Sequence, residues 1–294
     1  MTGSTGWERL PGRRTRGDSP EVDQVLRSPT GSDSLIVEQD GPVLTVTINR
    51  PHRKNAMDPA TWHLLLDELR RTALDESVRV VVLGGTGGDF CAGTDLGEDR
   101  QDHPLTRMRV VNAVATALHE LPQPVVARVE GVAVGAGCNL ALGCDFVVAA
   151  TTARLSQIFA RRGLSVDCGG SWLLPRAVGM LQAKRLALLA DTVDAGEALA
   201  LGLVTWVKEP EEIDEFVAGL TARLAAAPPV ALAQTKALVQ ENSGRTFAEA
   251  LAGEARAQVI NFATDGPAAK RAFLDKTEPE FTGEWQLQPN REGR

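Results

Sequence analysis

Cysteine and histidine are scarce in this chain, with four of each in 294 residues. Cys91, Cys138, Cys144 and Cys168 show no CxxC spacing and sit among apolar residues or glycines. That pattern fits reduced packing residues in a cytoplasmic protein and excludes a disulfide framework. His52, His63, His103 and His119 stand apart, without the spacing of a metal-ligand pair, so no metal site is expected. Basic residues are short as well: 31 Lys and Arg against 38 Asp and Glu leave a net charge of −7, which argues against nucleic acid as the main partner. No apolar run is long enough to span a membrane. Residues 1–33 lack the apolar core of a secretory signal and are rich in Gly, Ser, Pro, Arg and Asp, the composition of a poorly ordered extension.

What remains has ordinary globular composition, 43% hydrophobic and 23% charged, and is long enough for one large domain or two small ones. Ser34–Glu38 and Val43–Ile48 alternate around Asp40-Gly41-Pro42 and predict a hairpin. Asp58-Pro59 predicts a capped helix start, followed by a stripe of Trp62, Leu65, Leu66 and Leu69. Val78–Leu83 and Val125–Val129 read as buried strands, and Phe146–Ala149 as another. A helix is predicted from Leu105 to about Leu121, and a short one from about Ala136 to Leu142. Strand, glycine turn and helix in alternation predict an α/β fold with crossovers. From Val178 onward the pattern is almost wholly helical, with Leu203–Val207 as the single expected strand. The expected organisation is therefore an extension over residues 1–33, a core over 34–177 and a helical region over 178–294.

Two segments carry the chemistry. Phe90-Cys91-Ala92-Gly93-Thr94-Asp95-Leu96 and Val129-Glu130-Gly131-Val132-Ala133-Val134-Gly135-Ala136-Gly137-Cys138-Asn139 are each a strand running into a glycine-rich turn. Two such turns can aim backbone N–H groups at one oxygen, an oxyanion hole for charge that develops on a carbonyl. A phosphate loop at Gly84-Gly85-Thr86-Gly87-Gly88 is the competing reading, but it lacks the lysine and hydroxyl residue that such a loop needs.

In this order the two segments resemble the crotonase (enoyl-CoA hydratase/isomerase) superfamily, and the likeness runs from about Leu35 to the C-terminus. The resemblance implies a spiral core of ββα units with a helical C-terminal trimerisation region. It also implies a homotrimer or hexamer, and coenzyme A as part of the substrate with no separate cofactor. By it, the N–H groups of Thr94 and Ala136 form the oxyanion hole, with Ala92, Asp95 and Leu96 beside them. Asp95 reads as a turn or cap residue rather than a base. Asn49-Arg50-Pro51-His52-Arg53-Lys54-Asn55-Ala56 is also similar to the family. There Arg53, Lys54 and Ala56 line the coenzyme A site, the cations suiting its phosphates. Phe273 and Lys276 match a terminal helix that covers the adenine end.

Hydration of a conjugated double bond needs one group to activate water and another to deliver a proton. The family's hydratases use two glutamates, and their positions here hold Asn139 and Phe159, neither of which exchanges protons near neutral pH. One carboxylate stands nearby instead: Asp167, eight residues after Phe159, within Gly163-Leu164-Ser165-Val166-Asp167-Cys168-Gly169-Gly170-Ser171-Trp172. The superfamily's double-bond and ring-opening isomerases are similar in carrying an aspartate there. A proton shift along a thioester chain needs only one base, and apolar neighbours make a carboxylate a stronger one. Asp167 is alternatively a helix cap for Cys168–Leu174. Asn139 binds substrate or water, or caps its turn. Phe159 is core or an apolar wall of the acyl pocket. Trp172, like Trp62, reads more naturally as core than as a platform for ligand. The expected activity is acyl-CoA isomerisation. The alternatives are enoyl-CoA hydration, dehalogenation or thioester hydrolysis with Asp167 as nucleophile, and an RNA-binding or non-catalytic homologue.

Overall fold

A computed structural model describes residues 34–97 and 103–286. The expected extension, residues 1–33, and residues 98–102 and 287–294 lie outside the described residues. The predicted hairpin is present as β1 (Leu35–Asp40) and β2 (Val43–Ile48), paired antiparallel through a turn in which Gly41 has φ 53°. From there the main sheet grows by parallel addition of β3 (Val80–Gly85), β4 (Val125–Val129), β6 (Phe146–Ala150) and β9 (Trp206–Lys208). A smaller sheet holds β5 (Val132–Val134), β7 (Arg154–Ser156) and β8 (Thr192–Asp194) in the order β5-β7-β8.

The apolar runs in β3 and β6, and in β4 as far as Arg128, follow from burial on both faces of a parallel sheet. Along these strands, Val81, Leu83, Val125, Ala127, Val147 and Ala149 face the main core. Their alternate neighbours Val80, Val82, Val126, Val148 and Ala150 face a second core under helix α6 (Ile213–Ala225). The main core is closed by helices α1 (Pro59–Thr72), α2 (Pro104–His119) and α3 (Ala136–Gly143). Asp58 caps α1 as expected, accepting the Thr61 N–H at 2.8 Å, with Pro59 at the first helical position.

Helix α4 (Gly170–Leu189) runs through position 177, where a change of subdomain was expected, and bends at Gly179 (φ 73°, ψ 162°). Helices α5 (Ala195–Leu201), α7 (Pro229–Asn242), α8 (Phe247–Phe262) and α9 (Gly266–Asp275) lie in the region expected to be helical. The strands β5, β7 and β8 escape sequence reading because three residues are too few to show a period. The strand expected at Leu203–Val207 lies at Trp206–Lys208 instead; Leu203 and Val204 are apolar because they enter the core ahead of it.

Candidate active site at the carboxyl ends of the parallel strands

Strands β3 and β4 both end beside the candidate site, where ligands of open parallel sheets bind. After β3 the chain reaches Cys91, which bridges to Ala133 of β5, and then Thr94, which bridges to Met57. The Thr94 bridge is made by flanking residues: Met57 N–H donates to Gly93 O, and Asp95 N–H donates to Met57 O. The N–H of Thr94 therefore points to the other side, and no acceptor for it is found among the described residues. The N–H of Ala136, the first residue of α3, likewise lacks an acceptor among the described residues. It carries the partial positive charge of a helix start.

The two turns touch through their glycines. Gly93 has φ 86°, and a Cβ there would lie 2.9 Å from Val134 O and 3.3 Å from Ala136 N. A Cβ on Gly137 would lie 2.2 Å from Cys91 O. Both positions need glycine for the turns to close on one another. Beneath them a buried arginine, Arg50, holds the strand of Thr94 to the start of α1. Its guanidinium donates to the Ala56 carbonyl, pairs with Asp95 at 3.0 Å and pairs with Asp58 at 3.2 Å. Asp95 also accepts the Gly97 N–H at 2.9 Å. That bond, and the Arg50 guanidinium, hold its carboxyl below the ordinary range. Asp95 is thus a turn carboxylate locked in an ion pair, not a free base. Arg50 is a residue to which sequence reasoning gave no role, although it stood in the segment Asn49–Ala56.

Thr94 and Asp167 line the same cavity, of about 680 Å³. Its walls come from α1 (Trp62, His63), α2 (Met108, Val111) and the segment Leu164–Gly169. Asp167 does not cap α4: the helix starts at Gly170 with Gly169 as its N-cap, and no side chain caps it. The main-chain carbonyl of Asp167 accepts the Gly170 N–H at 2.9 Å and the Asn139 Nδ2 at 2.8 Å. The carboxyl Oδ1 is buried with no hydrogen-bond partner among the described residues, and burial pushes the group up to about 6.

Asn139 is 1% exposed. Its Nδ2 donates to Asp167 O at 2.8 Å and its Oδ1 accepts from Gln157 Nε2 at 2.7 Å. It is a brace under Asp167. Gln157, 2% exposed, gave no sequence signal because a buried glutamine has no periodic or motif signature. Phe159 is core at 5% exposure, its ring 3.7 Å from where a Gly135 Cβ would sit, and it does not line the cavity. The apolar wall expected of it comes from Met108, Val110, Val111 and Leu164. Trp62 is core at 3% exposure and also lines the cavity. Trp172 is not core: it is 38% exposed, edge-on to His119 and stacked under Arg176, whose guanidinium lies 3.8 Å from the ring centroid.

Of the residues expected beside the Thr94 and Ala136 N–H groups or at the coenzyme A end, Leu96 lines the cavity and is exposed. Arg53, Lys54, Ala56 and Ala92 do not line it. Ala56 is buried with its carbonyl taken by Arg50, and Ala92 donates its N–H to Lys54 O. Arg53 and Lys54 are exposed on the adjoining loop, Lys54 at 3.7 Å from Asp89. Among the described residues no group of His, Cys, Asp and Glu is arranged to hold a metal ion.

Residues 38–284 match the family model for enoyl-CoA hydratase/isomerase. The chain is 36% identical over 250 residues to 1,2-epoxyphenylacetyl-CoA isomerase of Escherichia coli K12, covering 82% of this chain and 95% of that protein. It is 33% identical over 253 residues to the short-chain-enoyl-CoA hydratase of Clostridium acetobutylicum, covering 84% and 97%. The crystal structure of an enoyl-CoA hydratase of Mycobacterium smegmatis superposes with a TM-score of 0.80 at 32% identity, covering 87% of this chain and all of that one. The glycine turns that meet at Gly93 and Ala136, the mixed α/β core and these likenesses agree, and the chain belongs to the enoyl-CoA hydratase/isomerase (crotonase) family.

Proposed function

We propose that this chain is an acyl-CoA isomerase in which Asp167 is the single acid/base and the N–H groups of Thr94 and Ala136 hold the thioester oxygen. The observation that carries the proposal is Asp167 itself. It shares a cavity with Thr94, has an unpartnered buried carboxyl oxygen and is pushed up to about 6 by burial. A carboxylate so placed ionises near neutral pH and is a better base than an exposed one. The positions that hold glutamates in the family's hydratases carry a braced asparagine and a core phenylalanine.

In this reaction the Asp167 carboxylate takes a proton from the α-carbon of a β,γ-unsaturated thioester. The electron pair moves onto the thioester oxygen, where the two N–H groups stabilise the enolate; such donors are each worth about 3–4 kcal/mol in a dry site. The dienolate then takes the proton back from the Asp167 carboxyl at its γ-carbon, leaving the double bond conjugated with the carbonyl. No electrons are gained or lost overall, so the step calls on no redox partner.

Arg53 and Lys54, exposed on the loop beside Leu96, suit the phosphates of coenzyme A. A homotrimer or a hexamer is the assembly proposed. Supporting it, the helices after residue 178 expose large apolar side chains, among them Leu181, Leu188, Val239, Phe262 and Phe273. The test of the activity is proton exchange: 3-enoyl-CoA in heavy water, followed by mass spectrometry for wild type and Asp167→Asn. Deuterium uptake with double-bond migration, lost in the variant, supports the reading. Water addition that survives in Asp167→Asn overturns it.

A further inference from the structure

The backbone ladder that joins the Thr94 segment to the Ala136 segment is short and irregular. Cys91 N–H donates to Val132 O at 2.9 Å and Val134 N–H donates to Cys91 O at 3.0 Å, the pairing of a parallel bridge between Cys91 and Ala133. Carried one step back, that pattern sends the Val132 N–H to the main-chain carbonyl of Asp89. The chain does otherwise. Phe90 N–H donates to Glu130 O at 2.9 Å, so two successive N–H groups face one partner, and Gly131 opposite them has φ 48°. The Asp89 carbonyl turns aside and accepts Asn55 Nδ2 at 2.6 Å. Its own carboxylate takes the vacated place in the ladder: Asp89 Oδ1 accepts the Val132 N–H at 2.8 Å.

Asp89 is thus where three segments are tied. Asn55, 0% exposed and at φ 57°, also donates to Thr86 O at 2.8 Å and accepts the Arg50 N–H at 2.8 Å. The second Asp89 carboxylate oxygen faces Lys54 at 3.7 Å. A Cβ on Gly131 would lie 2.4 Å from Asp89 Oδ1, so the carboxylate sits hard against the backbone that leads to Ala136. From this tie the two segments run side by side to their donors, Thr94 and Ala136. Both donors are main-chain N–H groups, so neither can be adjusted by a rotamer. Where they converge is set by the register of the segments that carry them, and such a hole works only when its donors are already in place.

We propose that Asp89 is a positioning residue of the oxyanion hole: its carboxylate, standing in for a ladder carbonyl, fixes the register in which the Thr94 and Ala136 N–H groups converge. The inference rests on the reading of those two groups as the hole, so the test reads the hole as well as the rate. Infrared difference spectra would be taken of the full chain with hexanoyl-CoA, with and without carbon-13 at the thioester carbonyl. Hydrogen bonds to the carbonyl oxygen lower its stretching frequency, so the wild-type band should lie below that of the free thioester. Asp89→Ala removes the acceptor for Val132, and Asp89→Glu keeps the charge facing Lys54 but displaces the acceptor. Both should move the band back toward the free thioester. Both should also lower kcat for 3-enoyl-CoA by about 10–100-fold while KM moves less, as a misplaced donor does. Asp89→Asn keeps an acceptor of the same reach without the charge, and should hold the wild-type band and most of kcat. Where Asp89→Ala does not fold, Asp89→Glu against Asp89→Asn decides. A lowered wild-type band that neither Asp89→Ala nor Asp89→Glu moves, or an Asp89→Asn variant that loses it, overturns the role of Asp89 and leaves the hole standing. A wild-type band equal to that of the free thioester overturns the hole, and the role of Asp89 with it.

Discussion

At the residue scale, the site turns on the difference between two aspartates. Asp95 and Asp167 both lie in turns beside the cavity, yet one is locked in an ion pair with Arg50 and the other has a bare oxygen. Replacing Asp167 by Asn should lower kcat for double-bond migration by about 10²–10⁴-fold, the usual worth of a positioned acid/base. The wild-type acid limb of kcat/KM should fall near pH 6, above the range of an ordinary carboxylate, which a pH series of initial rates would show. The same shift has a sign for stability. Because the folded-state value lies above the unfolded one, Asp167 favours folding while both states are protonated, and that contribution is lost as pH rises through about 6. The melting temperature of Asp167→Asn relative to wild type should therefore rise between about pH 4 and pH 7. A difference that stays flat across that range would contradict the buried, unpaired carboxylate. Asn139→Asp tests the brace: it removes the donor to Asp167 O and sets a carboxylate oxygen against a carbonyl. It should cost about 1–3 kcal/mol in denaturant unfolding and lower kcat more than it raises KM.

At the scale of elements, the turn that carries Thr94 is tied by Arg50, which pairs with Asp95 in that turn and with Asp58 at the cap of α1. Arg50→Ala leaves Asp95 buried without its cation and should cost about 3–5 kcal/mol, read by urea unfolding. Arg50→Lys should recover only part of this, since an ammonium cannot reach Ala56 O, Asp58 and Asp95 together in the forked geometry. The helices that close the core were legible in sequence because they are long and striped: Trp62, Leu65, Leu66 and Leu69 of α1 are all buried. The strands β5, β7 and β8 were not legible. Their three-residue lengths are set by pairing partners distant in the chain, such as Ala133 with Leu155 and Leu155 with Val193.

At the scale of the molecule, Lys236 of α7 reaches the sheet, donating to Asp145 Oδ2 at 2.7 Å and to Gln123 O at 3.1 Å. Asp145 also accepts the Val125 N–H, so this one carboxylate joins the C-terminal helices to the start of β4. The apolar side chains exposed on α4, α7, α8 and α9 are the surface on which the proposed trimer would close. Light scattering should give three or six times the 31.4 kDa chain mass, and Leu181→Asp together with Phe273→Asp should reduce it. A wild-type mass of one chain would contradict the assembly.

The sequence by itself determined the family, the α/β alternation and the two glycine turns. These depend on local signals: runs of β-branched residues, a capped helix start, and glycines where the backbone must turn or approach closely. It also singled out Asp167, through its spacing from Phe159 and the absence of acids at Asn139 and Phe159. Tertiary structure decided what each polar group is free to do. Asp167 and Asn139 are both polar residues at glycine-rich turns, and only their partners separate them. Asn139 bonds Asp167 and Gln157 with the two ends of its amide, whereas one oxygen of the Asp167 carboxyl is buried with no partner among the described residues. A buried polar group's chemistry is set by which of its hydrogen bonds are already made, and those partners come from segments 18 and 28 residues apart in the chain.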